Sequence, residues 1–253
     1  METPAHETEV VIVGGGLNGL LLALALAQGG VRSTVLDAGP RALREDPEFD
    51  GRAYALAVGA RRMLTALGLW RELEGQAQPI LEIKISDGRA GEGASRFWLH
   101  FDHAEIEEGP MGHFLEDRYL RRALLDAVDA SPLVTMLWEA PVTEQALLPG
   151  GIAVQLADGR RVAGRLLVGC DGRGSGTAKR AGIGRVGWDY GQTGLVAALA
   201  HERPHHGIAH QFFMPEGPLA ILPLPGNRSS IVWTERTERA DMIRHLDDEN
   251  FLA

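Results

Sequence analysis

The sequence predicts an α/β fold in which a parallel-sheet domain is interleaved with an antiparallel-sheet domain. Three observations carry this. A β-branched run, a glycine-rich turn, an apolar helix and a second strand follow one another within the first forty residues. A further apolar run, of the kind found in strands covered on both faces, lies at 165–170. At 79–86, at 96–102 and beyond 187 the pattern is that of antiparallel strands and turns.

Glu9-Val10-Val11-Ile12-Val13 favours a strand buried on both faces. Leu20 to Gln28, rich in Leu and Ala, reads as a helix stopping at Gly29-Gly30, and Val31 to Leu36 as the next strand. Residues 41–54 are polar and loop-like. Ala55 to Leu69 carries helix formers, with Leu56, Met63, Leu64 and Leu67 for one face. Pro79–Ser86 and Arg96–Asp102 alternate apolar and polar residues, so each should have one wet face, and the Gly-rich 87–95 joins them. Asp117 to Val128 is an amphipathic helix with Leu120, Ala123, Leu124 and Val128 on one side. A strand at Leu133–Trp138 follows. Ile152–Leu156 and Arg161–Ala163 then flank Asp158-Gly159, a hairpin signal. Arg165–Cys170 has parallel-strand character, and four strands follow at Leu195–Ala200, Ala209–Met214, Leu219–Leu224 and Ser230–Thr234. The expected domains are 1–78 with 105–186, and 79–104 with 187–253.

The 253 residues are 45% hydrophobic and 23% charged, which permits a substantial core. With 25 basic against 34 acidic residues the net charge is −9, so no nucleic-acid partner is expected. Cys170 is the single cysteine, which excludes an internal disulfide framework and fits a reducing, cytoplasmic compartment. At the end of an apolar run it reads as a small core residue. Val10 to Ala27 is long enough for a membrane span, but Glu7 and Glu9 precede it and four glycines and Asn18 interrupt it. A strand, turn and helix fit it better.

Gly14-Gly15-Gly16-Leu17-Asn18-Gly19 carries the spacing G-x-G-x-x-G between that strand and that helix. Gly14 permits a tight turn, Gly16 lets backbone amides approach a pyrophosphate, and Gly19 allows close helix–strand packing. The helix N-terminus favours the phosphate charge. Asp37, at the end of the next strand, stands where a carboxylate accepts bonds from ribose hydroxyls. A Rossmann-like dinucleotide site follows, for FAD or NAD rather than NADP; the spacing does not choose between the two. In Leu166 to Gly176 an apolar strand runs into an acidic, glycine-rich turn that can bring Asp171 and backbone amides near a ligand, though an ordinary strand-to-helix turn has the same pattern. Ser175 is not a nucleophile-elbow serine, because Arg173 stands where that motif needs glycine. His201, His205, His206 and His210 cluster, but Pro204 and Gly207 mark a solvated turn, and no metal is expected.

To these motifs are added Phe49-Asp50-Gly51-Arg52-Ala53-Tyr54-Ala55-Leu56, Leu64 to Trp70, Trp188 to Gln192 and Gly217 to Leu224. In this order the set resembles the ubiquinone-biosynthesis hydroxylases, a branch of the para-hydroxybenzoate-hydroxylase-like flavin monooxygenases, over essentially the whole chain. The resemblance implies FAD, reduction by NADH or NADPH, O₂ as co-substrate, and hydroxylation of a polyprenylated phenol or quinol, with no catalytic side chain. It implies that Gly14, Gly16, Gly19 and Asp37 hold the ADP half. Arg52 would lie along the flavin side, Arg118 near the phosphate or ribityl region, and the backbone of Val142 at the adenine. Asp171 belongs to the motif linked to FAD and nicotinamide-cofactor binding. From the residues alone, Arg52 is a loop arginine, Arg118 a helix-start arginine and Val142 an apolar residue beneath a loop. A greasy substrate implies contact with the inner membrane's surface, although no amphipathic anchor is evident.

Two departures stand out. Ala178 occupies the position, three after Ser175, where the family usually has arginine. The family also continues past 253 into a Gly-Asp-Ala-Ala-His type segment, so a truncated chain is expected. A non-catalytic dinucleotide-binding remnant and a flavin-dependent prenyl reductase are the alternative functions.

Overall fold

The computed structural model describes residues 6–89, 92–105, 109–247 and 249–250. In chain order its strands are β1 (His6–Val13), β2 (Ser33–Leu36), β3 (Ala53–Ala57), β4 (Gln78–Ile80), β5 (Glu82–Arg89), β6 (Gly93–Asp102), β7 (Gly112–Glu116) and β8 (Val134–Leu137). Then come β9 (Val142–Leu148), β10 (Gly151–Leu156), β11 (Arg161–Gly169), β12 (Gln192–Ala200), β13 (Ile208–Met214), β14 (Gly217–Leu224) and β15 (Arg228–Arg236). The α-helices are α1 (Leu17–Gln28), α2 (Ala42–Glu45), α3 (Val58–Ala66), α4 (Trp70–Leu73), α5 (Asp117–Ala130), α6 (Gly176–Arg180) and α7 (Thr237–Ile243).

The chain forms two compact units. The first takes residues up to Glu48, Ala66–Glu72 and Arg118–Val186, and the second takes Phe49–Thr65, Leu73–Asp117 and the chain from Gly187. This division does not coincide with the boundaries drawn from the sequence: 49–65, 73–78, 105 and 109–117 go with the second unit. The reason is pairing, since β3 and β4 both lie antiparallel to β7 in a three-stranded sheet.

The first unit is built on a sheet ordered β8-β2-β1-β11-β10-β9. Strands β8, β2, β1 and β11 are parallel, and β10 and β9 continue antiparallel. The run Val10 to Val13 is covered on both faces, as its composition requires. Val10 and Ile12 pack with Ala23 of α1 and Val35, while Val11 and Val13 pack with Leu36, Val154, Leu156 and Val162. Each fully buried Val, Ile or Leu here contributes about 1.5–3 kcal/mol. The expected strands at 161–163 and 165–170 are one strand, β11, antiparallel to β10 at its start and parallel to β1 along its length.

The second unit holds the small sheet and a six-stranded one ordered β12-β15-β14-β13-β5-β6. That sheet is antiparallel except where β13 lies parallel to β5. Ile80 and Phe114 of the small sheet and Ala209 and Leu224 of the large one belong to one buried apolar cluster.

Four expectations need correction. Ala55–Leu69 is not one helix: Ala53–Ala57 is strand β3 and the helix begins at Val58. The loop expected at 41–54 contains the single-turn α2. Strand β6 has no covered face, because Phe97, Trp98, Leu99 and Phe101 are all exposed at the edge of their sheet. Finally, 79–86 is split, with β4 in the small sheet and β5 in the large one. Among the described residues no helix is long and apolar enough to cross a membrane.

Candidate functional site

The ends of β1, β2 and β11 meet at the glycine loop. Gly14 donates its N–H to the Leu36 carbonyl at 2.7 Å, and Cys170 donates its N–H to the Val13 carbonyl at 2.6 Å. Gly14 has φ +109°, and a Cβ there would stand 2.3 Å from the Cys170 carbonyl oxygen and 2.8 Å from the Asp171 nitrogen. A Cβ on Gly19 would meet the Gly14 carbonyl oxygen at 1.9 Å. These two glycines are therefore fixed by the close approach of turn, helix and strand.

Gly16 differs, since a Cβ there would meet nothing within 4 Å. It is the N-cap of α1, which has no side-chain cap bond and no acidic residue in its first turn. The helix thus presents its first amides, on Leu17 and Asn18 among others, without the usual protein acceptor. Such an end suits an anion.

Asp37 is 2% exposed. Its Oδ2 accepts the Gly15 N–H at 2.8 Å and its Oδ1 accepts the Gly39 N–H at 2.8 Å. Arg44 Nη2 donates to both oxygens, at 3.1 and 3.3 Å. The carboxylate therefore shapes the loop as well as standing at the end of β2.

Arg44 and Arg118 line one cleft of about 310 Å³ with Pro47 and Tyr119. Arg118 donates to the Pro47 carbonyl at 3.2 Å and to the Tyr119 hydroxyl at 3.1 Å, and lies over the Tyr119 ring. The structure thus brings together the Gly14–Gly19 loop, Asp37, the Asp171 backbone and, through Arg44, Arg118. A larger cavity, about 850 Å³, lies elsewhere on the β9–β10–β11 hairpins, between Glu144, Gln155, Asp158 and Arg161.

Asp171 accepts from the Ser175 hydroxyl, and from the Thr177 N–H and hydroxyl at 2.9 Å each. Ser175 in turn caps α6 by accepting the Ala178 N–H at 3.0 Å. Burial opposes ionisation of Asp171, but the bonds from Ser175 and Thr177 outweigh it and hold the carboxyl below its ordinary 3.8. Because the folded value is depressed, this contribution to stability is full above the unfolded value and lost as pH falls through the folded one. Thermal melts of Asp171→Asn and the parent should differ at pH 7 and converge toward pH 3. An undiminished gap at pH 3 would contradict this account. Cys170 is partly buried against the β1 core, and burial raises its thiol, so it is not an activated nucleophile.

Val142 opens β9, opposite Leu156, and its side chain packs on the β1 core. Arg52 belongs to the second unit. There its Nε donates to Asp50 at 2.8 Å and its Nη2 lies 3.5 Å from the buried Asp117. Tyr54 donates to the same Asp117 at 2.8 Å, and burial together with that bond pushes its hydroxyl up to about 12. His205 and His201 tie their turn to the Leu224 carbonyl and the Ser229 hydroxyl. Sequence reasoning missed Arg44 and Thr177; the only local signal for Arg44 was its basic charge a few residues beyond Asp37.

The family model described as FAD binding domain matches residues 7–250. The chain is similar to ubiquinone hydroxylase UbiL of Rhodospirillum rubrum, 44% identical over 251 residues, which is 97% of this chain and 56% of that protein. It is 31% identical to the 3-demethoxyubiquinol 3-hydroxylase of Escherichia coli over 245 residues, 96% of this chain and 60% of that protein. The chain thus spans somewhat more than half the length of these curated relatives. In fold it is similar to the crystal structure of a Pseudomonas aeruginosa PqsL mutant, with a TM-score of 0.80 and 24% identity over 95% of this chain and 64% of the other.

Proposed function

The chain belongs to the FAD binding domain family, and on that premise we propose that it is the FAD-holding part of an aromatic-ring hydroxylase of ubiquinone biosynthesis. The observation that carries this is the uncapped α1 N-terminus beside open space at Gly16. There the amides following Gly16 hold the pyrophosphate, and Asp37 faces the adenosine ribose. The Val142 backbone meets the adenine, Arg118 serves the phosphate or ribityl region, and Arg52 serves the flavin side. Asp171 holds the turn beside Gly14 in the shape the ligand needs. Bound FAD, reduced by NADH or NADPH, supplies the redox chemistry that places one oxygen atom of O₂ on an electron-rich ring. The protein's part is to orient that ring and exclude water. The ubiquinone-related relatives support a polyprenylated phenol or quinol as substrate, and a greasy substrate draws the protein to a membrane surface.

Titration of the purified chain with FAD should give saturable quenching of flavin fluorescence at one site. NADH or NADPH oxidation stimulated by a polyprenyl phenol, with label from ¹⁸O₂ in the product, tests the hydroxylase assignment. Absence of any FAD binding would overturn the reading at its root, and label-free reduced product would replace hydroxylation with reduction.

A further inference from the structure

We infer that Arg44 is a displaceable occupant of the Asp37 carboxylate, and that a nucleotide ribose binds by exchanging with it. The inference rests on the dinucleotide-site reading above. A carboxylate offers about four acceptor positions. At Asp37 the Gly15 and Gly39 amides take one on each oxygen, at 2.8 Å, and Arg44 Nη2 takes the remaining one on each, at 3.1 and 3.3 Å. The amides belong to the turns that Asp37 shapes and cannot leave without rebuilding them. Arg44 can leave: its side chain is 39% exposed and sits on the single-turn α2.

Its resting pose is also poorly satisfied. Arg44 Nε is buried with no hydrogen-bond partner among the described residues, which penalises this position relative to one in water. The cleft shared with Pro47 and Arg118 gives the guanidinium somewhere to go. Two ribose hydroxyls would then take the two positions that Arg44 vacates. The apparent affinity for a nucleotide is reduced by the fraction of molecules in which Arg44 holds the carboxylate.

Calorimetric titration with ADP, which carries the ribose and pyrophosphate without the flavin, tests this on the whole chain. Arg44→Met keeps the apolar stem and removes the donors; it should bind ADP on the order of five- to tenfold more tightly than the parent, the inverse of the freed fraction. With 2′-deoxy-ADP the gain should shrink, because one of the competing hydroxyls is gone. Should methionine perturb the fold, as judged by circular dichroism, Arg44→Ala makes the same test. Parent-like or weaker ADP binding by the variant would overturn the exchange while leaving the nucleotide site intact. A gain equal for ADP and 2′-deoxy-ADP would also overturn it. Failure of both parent and variant to bind ADP would remove the site reading itself.

Discussion

Alanine at Gly14 is expected to cost about 4 kcal/mol, combining a side chain at positive φ with overpacking against the Cys170 carbonyl. Gly19→Ala should cost nearly as much, since its Cβ falls 1.9 Å from the Gly14 oxygen. For a chain of this length that lowers the melting temperature by roughly 10 °C, readable by scanning fluorimetry. Gly16→Ala separates folding from binding. Its Cβ meets no protein atom, so the loss in stability should be only about 0.5–1 kcal/mol, as for a weakened N-cap. On the binding proposed above, FAD affinity should nevertheless fall by about tenfold or more, roughly 1.4 kcal/mol, because the methyl would stand where the pyrophosphate approaches the backbone. Equal FAD binding by Gly16→Ala and the parent would remove the helix N-terminus from the binding model.

The second large effect is at Asp37. Asp37→Ala leaves the Gly15 and Gly39 amides and the Arg44 guanidinium without their acceptor. Arg44, 39% exposed, can turn to water, but at about 1–3 kcal/mol for each of the two amides left unpaired the loss should be about 3 kcal/mol. Urea unfolding measures it directly. Asp37→Asn keeps one carbonyl oxygen and should lose roughly half as much. A neutral Asp37→Ala result would mean that the loop holds its shape by other contacts.

Both sites were legible in the sequence for the same reason. Gly14, Gly16, Gly19 and Asp37 stand at spacings imposed by a strand, a turn and a helix, and such local geometry leaves its mark in order. What was hidden depends on partners far along the chain. Ala53 to Ala57 has helix-favouring alanines, but β7 provides five antiparallel partners and pairing outweighs a weak propensity. Strand β7 itself has no readable pattern, because every residue from Gly112 to Glu116 is buried. Glu116 is accommodated there by Arg228, 112 residues away, at 2.6 Å. Asp37 is legible at the end of β2, whereas its bonds to Gly15 and Gly39 and its ion pair with Arg44 depend on turns whose spacing carries no pattern. Arg44 lies on a helix of one turn, too short for any periodicity to announce.

The position of β1 carries a consequence for how the chain is made. Its neighbours are β2, completed by Leu36, and β11, whose Gly169 lies opposite Val13. A ribosome adding ~5–20 residues per second needs on the order of ten seconds or more to supply that second neighbour. Throughout that interval the Val10–Val13 strand has an edge with no native partner, and such an edge is a template for other chains. The glycine loop, which precedes β11 in the chain, acquires its Cys170 wall only when β11 arrives. The loop is therefore synthesised well before the strand that completes it, and takes its final shape only after β11 has paired with β1.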